Sequence, residues 1–233
     1  MSKLKKRTIS YKSETCIYCN ENLSTRKGDH VPPKSWISGR IRKNYPVVRV
    51  PCCEECNESF KRDDDKFRLF ITATYQAGES HHGRQMWKKA LSGIGHEKAE
   101  GLRKSFFSHI EQEVELFSPS GEYLGQSARI KYDDELTSRV FDRIVRALFY
   151  ERFKNRLIDD CVIKTGCHLF LDVNRMSEII ETLDPVLSQE NNPLCPGVFE
   201  YKVCAARQDT EATIWAFLLY DSIIFFSFTW VDN

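Results

Sequence analysis

Two matched dicysteine turns limit what this chain can fold into more than any other feature. Cys16-Ile-Tyr-Cys19 and Cys53-Glu-Glu-Cys56 lie 33 residues apart. Paired CxxC turns at moderate separation present four thiolates that can close a tetrahedron around Zn²⁺. In a segment with little apolar material, the metal then contributes directly to folding. Cys53 keeps the two-residue spacing to Cys56 and is read as the ligand, which leaves Cys52 as a buried neighbour. Cys161, Cys167, Cys195 and Cys204 have no such spacing and read as ordinary buried thiols. Nine cysteines is an odd count, and the opening MSKLKKRTISYK is basic without an apolar stretch. A disulfide-stapled secreted scaffold is therefore not expected, and a reducing cytoplasmic setting is.

Charge divides the chain at about the same place. The net charge is +1, yet residues 1–61 carry 13 Lys and Arg against 6 Asp and Glu, so the remaining residues sum to −6. A basic N-terminal quarter on a mildly acidic remainder suits contact with a polyanion, or simply a solvated basic face. With 41% apolar residues and 15 phenylalanines, the chain has ample material for a packed core and is not a disordered protein.

The patterning predicts an α+β protein. Residues 1–78 read as a hairpin-rich metal module leading into a helix, with Val47, Val48 and Val50 forming a short strand before the second dicysteine turn. Residues 79–233 read as a larger region of helices and antiparallel strands whose role is open: sensing, dimerisation or docking of a regulatory partner. Helices are predicted at about 81–93, 97–113, 133–155 and 175–189, with a hairpin over 114–132. Strands are predicted at 168–173, 198–207, 213–220 and 223–230. The apolar run 214–230 is long enough to suggest a membrane span, but Asp221 and Ser222 interrupt it, so a buried hairpin is the expectation and no membrane contact is. Asp63-Asp64-Asp65 reads as an exposed acidic run, and His81-His82 as surface residues.

Between the dicysteine turns lie Gly28-Asp29-His30, and Asn57 directly follows Cys56. Phosphodiester hydrolysis needs a base to activate water and a cation to stabilise the developing charge. Histidine can serve as that base, and hard oxygen ligands from Asp29 and Asn57 suit Mg²⁺ or Mn²⁺. Neighbours on a regular strand point to opposite faces, so Asp29 and His30 need a local bend to share one site. Lys34, Arg40, Arg42, Lys43 and Arg49 lie among these elements and are candidate phosphate contacts.

CIYC, GDHVPPKS and VPCCEECNESF together resemble the HNH endonucleases, the ββα-metal nucleases, in their zinc-knuckle-bearing form, over residues 14–68. The resemblance implies that Asp29 and Asn57 ligate a catalytic Mg²⁺ or Mn²⁺, that His30 is the general base, and that Cys16, Cys19, Cys53 and Cys56 hold a structural zinc. It implies a hydrolase that cuts nucleic-acid backbones, DNA more often than RNA, leaving a 5′-phosphate and a 3′-hydroxyl. Nucleases of this type serve restriction, phage defence, repair and mobile elements. The family's middle asparagine falls near Pro46 here, and Asn44 is the nearest candidate to orient the base; a backbone carbonyl is the alternative. The competing expectation is a non-catalytic zinc ribbon that binds nucleic acid or protein.

Overall fold

The computed structural model describes residues 15–23, 28–39, 47–170, 178, 181–184, 186, 192–206 and 211–232. They form a mixed α+β structure with three antiparallel sheets. β1 (Gly28–Val31) pairs with β2 (Val48–Pro51) in the register Asp29↔Val50 and His30↔Arg49. The long helix α1 (Glu54–Thr72) follows at once, capped by the Cys53 side chain, which accepts from the Cys56 amide. The helix into which residues 1–78 lead does not run unbroken to the end of that segment. Thr74 caps a separate short helix, α2 (Tyr75–Glu79), by accepting from the Ala77 amide.

Helix α3 (His81–Ile94) matches its expected span, but the helix expected over 97–113 is shorter, with α4 covering Glu100–Phe107. β3 (Ile110–Phe117) has begun by then and pairs with β4 (Tyr123–Ile130). Strand pairing prevails because Ile110, Val114 and Leu116 alternate with Glu111, Glu113 and Glu115, a period-two pattern. Helix α5 (Asp134–Phe153) agrees with its apolar stripe, and Asp133 caps it by accepting from the Leu136 amide at 2.8 Å.

A five-stranded sheet in the order β5-β9-β8-β7-β6 forms the back of the molecule. Its members are β5 (Cys161–Cys167), β6 (Asn192–Cys195), β7 (Phe199–Ala205), β8 (Thr213–Leu219) and β9 (Ile223–Val231). Of the strand expected at 168–173, residues 168–170 are not a strand and 171–173 lie outside the described residues. β5 ends at Cys167, and His168–Phe170 form a single 3₁₀ turn. β5 lies on the sheet edge and carries Lys164, Thr165 and Gly166, so its sequence lacks the alternation of a half-buried strand. β6 was not expected, being four residues long with Pro193 inside it. Residues 178, 181–184 and 186 are helical; the rest of the helix expected at 175–189 lies outside the described residues. The apolar run 214–230 is the β8–β9 hairpin, turning at Tyr220 and Asp221 with φ of 51° and 60°. Among the described residues no helix is long and apolar enough to cross a membrane.

One apolar cluster runs across residue 78, which itself falls within α2. Trp36 stacks on Phe67 of α1 at 4.9 Å, and Phe67 meets Phe141 of α5 and Phe225 of β9 at 5.8 and 5.7 Å. Phe141 stacks on Phe225 at 4.5 Å. These aromatic contacts fix α1 and α5 against the sheet, and the β1–β2 hairpin rides on α5 through buried Val31 and Val50.

Candidate active site

Local hydrogen bonding shapes the thiol cluster. In the first turn the Cys16 amide donates to Glu21 O and the Asn20 amide to Cys16 O, with Asn20 in the left-handed region at φ 62°. Asparagine tolerates that conformation better than most residues. The Ile17 amide donates to Pro51 O at 3.1 Å, which docks this turn against the end of β2. The second turn is the start of α1, whose first residues bring Cys53 and Cys56 together. The sulfurs of Cys16, Cys19, Cys53 and Cys56 all lie within 4.8 Å of one another, and Cys19 Sγ is 3.7 Å from Cys53 Sγ. A tetrahedral zinc site with Zn–S of about 2.3 Å has edges of about 3.8 Å, so these four sulfurs suit a metal ion such as zinc.

Cys52 is fully buried outside this cluster and donates to Cys53 O. A side-chain hydrogen bond between Cys52 and Cys16 draws the Cys16 thiol down to about 4, whereas burial pushes Cys19 and Cys56 above the ordinary thiol value. A bound cation favours the thiolate at all four positions.

Beside the cluster lies an open cleft of about 400 Å³ lined by Asp29, His30 and Asn57, together with Lys34, Arg49 and Lys61. Asn57, Lys61, Asp64 and Asp65 reach it from one face of α1, at the spacing of successive helical turns. Asp29 and His30 share the cleft despite adjoining on β1 because the Asp29 carboxylate folds toward its successor. Its Oδ1 accepts from the His30 amide at 2.8 Å. Gly28 matters for a steric reason: a Cβ there would sit 2.7 Å from Arg49 Nε and from Val50 O, so its absence makes room for the Arg49 side chain. Arg40, Arg42, Lys43 and Asn44 lie outside the described residues.

Behind the cleft is a buried network that the sequence reading missed. Asp29 is only 5% exposed. Its Oδ2 accepts from the Tyr18 hydroxyl at 2.6 Å and lies 3.3 Å from Arg143 Nε. Arg143 also pairs with Asp64, Nη1 to Oδ1, at 2.7 Å. Burial opposes the charge on Arg143, but Asp29 and Asp64 outweigh it and hold its pKa above the ordinary arginine value. Burial pushes Asp64 up to about 7 against the pull of Arg143, and burial together with Asp29 raises Tyr18.

The acidic run is therefore not an exposed one. Asp63 accepts from Arg139, and the Asp64 side chain is 13% exposed. Its detectable signal was an arginine in an apolar stripe: Arg143 sits three residues after Val140 and four before Ala147. His81 is exposed as expected, whereas His82 is half-buried with its Nδ1 enclosed. No family model, curated protein or solved structure matches this chain.

Proposed function

We propose that the protein is a metal-dependent endonuclease of the HNH type that hydrolyses phosphodiester bonds, with DNA as the preferred substrate. One observation carries this reading: Asp29 and His30 of β1 and Asn57 of α1 line a single cleft beside the four-thiol cluster. A short antiparallel hairpin followed by a helix is the arrangement the ββα-metal resemblance implies.

The residues fit a hard cation. Asp29 Oδ2 is engaged by Tyr18 and Arg143, while Oδ1 accepts from the His30 amide and a carboxylate oxygen can accept two bonds. Asn57 adds an amide oxygen of the same chemical kind. Bound there, Mg²⁺ or Mn²⁺ would neutralise charge on the phosphoryl group and the leaving oxygen. His30 takes the proton of the attacking water, whose oxygen forms the new bond to phosphorus as the bond to the 3′-oxygen breaks. Lys34, Arg49 and Lys61 hold the flanking phosphates. Zinc in the thiol cluster would tie the start of α1, and with it Asn57, to the first dicysteine turn, which docks on the end of β2.

The experiment is incubation of zinc-loaded protein with plasmid, linear, branched and single-stranded DNA and with RNA, in Mg²⁺, in Mn²⁺ and with neither. Cleavage that requires the added cation supports the reading. A second reading, a non-catalytic zinc-bearing binding module, draws on the buried pairing of Asp29 with Arg143, an arrangement that also serves structure alone. It expects binding of nucleic acid or protein with no cation-stimulated cutting on any substrate.

A further inference from the structure

The wall behind Asp29 comes from outside the hairpin and α1. Arg143 belongs to α5, on the face that packs into the core, and its side chain is 2% exposed. Its guanidinium reaches Asp29 of β1 with Nε and Asp64 of α1 with Nη1, and its central carbon lies 4.8 Å from the centre of the Phe60 ring. One planar, permanently charged group thus ties two elements of the cleft together over an aromatic surface. An arginine on an apolar helix face is expensive to desolvate and needs buried partners; here it has two carboxylates. With Asp64 ionised, two negative charges against one positive leave a net negative wall, which favours a cation in the cleft.

We propose that Arg143 is a positioning residue for this cleft. It commits Asp29 Oδ2 to the interior beside Tyr18, leaves Oδ1 to the cleft and the His30 amide, and locks β1 to α1 through Asp64. The site is then complete only when α5 is docked, which gives part of the region beyond residue 78 a direct place in the chemistry. This inference rests on the nuclease reading above. A lysine cannot replace the arginine fully, because one ammonium nitrogen does not span both carboxylates in the same geometry.

The test compares zinc-loaded wild type, Asp64→Asn, Arg143→Met and the double variant Arg143→Met/Asp64→Asn. Arg143→Met strands two buried carboxylates and is at risk of misfolding. The double variant removes one charge of each sign and keeps the buried balance closer to neutral. Two readouts are taken. The first is single-turnover cleavage over a range of DNA concentrations. The second is Mn²⁺ broadening of the His30 ring signal, assigned by its loss in His30→Gln.

The double variant is expected to bind zinc and melt cooperatively. It should cleave about 100-fold more slowly than Asp64→Asn alone, with half-saturating DNA within about threefold. Broadening of His30 should need about tenfold more Mn²⁺, and Arg143→Lys should fall between arginine and methionine. If the folded double variant matches Asp64→Asn in both readouts, Arg143 has no positioning role and this inference is overturned, while cleavage by wild type still stands. If the wild type neither cleaves nor shows Mn²⁺ beside His30, the nuclease reading fails and this inference with it.

Discussion

The two halves of this molecule are held together by different physics. Around the β1–β2 hairpin, the four-thiol cluster and the Asp29–Arg143–Asp64 pairing lie beside a small apolar group that includes Val31, Val48 and Val50. Around the five-stranded sheet, Phe141, Phe199, Trp215, Phe217 and Phe225 are buried against one another. The first region concentrates charged groups and four thiols that could hold a metal ion such as zinc; the second supplies most of the buried aromatic surface. Arg143 of α5 reaches from the second region into the first, where it pairs with Asp29 and Asp64.

Metal removal should produce the largest contrast. Cys19→Ser/Cys56→Ser is expected to lose zinc and all cleavage, because structural zinc contributes on the order of 10 kcal/mol in small zinc modules. Amide hydrogen exchange should then rise over residues 15–57 while β7, β8 and β9 stay protected. Equal loss of protection in both regions would mean that they do not differ in this way.

Truncating the aromatic core should do the reverse. Phe141→Ala is expected to cost about 3–5 kcal/mol of global stability in denaturant unfolding, with zinc still bound in the folded fraction. A smaller effect is expected from Asp64, whose pKa is pushed up to about 7, chiefly by burial. An acid with a higher pKa folded than unfolded favours the folded state below about pH 4 and loses that contribution as pH rises through its folded value. The melting temperature of the zinc-loaded wild type should therefore fall relative to Asp64→Asn between pH 4 and pH 7, and parallel curves would contradict this. The smallest effect should come from Arg139→Ala. Its pair with Asp63 is half exposed, so a stability change below about 1 kcal/mol is expected from the same unfolding measurement.

Much of the candidate site was legible in the sequence because its residues are local. Dicysteine spacing pointed to Cys16, Cys19, Cys53 and Cys56; Asp29 and His30 lie between those turns, and Asn57 directly follows the second. Tyr18, Asp64 and Arg143 were not legible as a network, because their contact depends on α5 crossing behind β1, a pairing of residues 114 positions apart that no local pattern encodes. The fold shows the same division. Helices α3 and α5 carry helical periodicity, the β8–β9 hairpin is an apolar run broken by Asp221-Ser222, and all three were placed well. Edge strand β5 and four-residue β6 owe their conformation to a neighbouring strand, so their own residues announce little.

The most direct measurement is single-turnover cleavage of plasmid DNA by wild type and His30→Ala, with zinc content and melting temperature determined on the same samples. With His30 as the base beside Asp29 and Asn57, the wild type should cut only when Mg²⁺ or Mn²⁺ is added. His30→Ala should be slower by a factor of about 10²–10⁴ with its zinc and stability intact. Undiminished cutting by His30→Ala, or no cutting by fully zinc-loaded wild type in either cation, would contradict it.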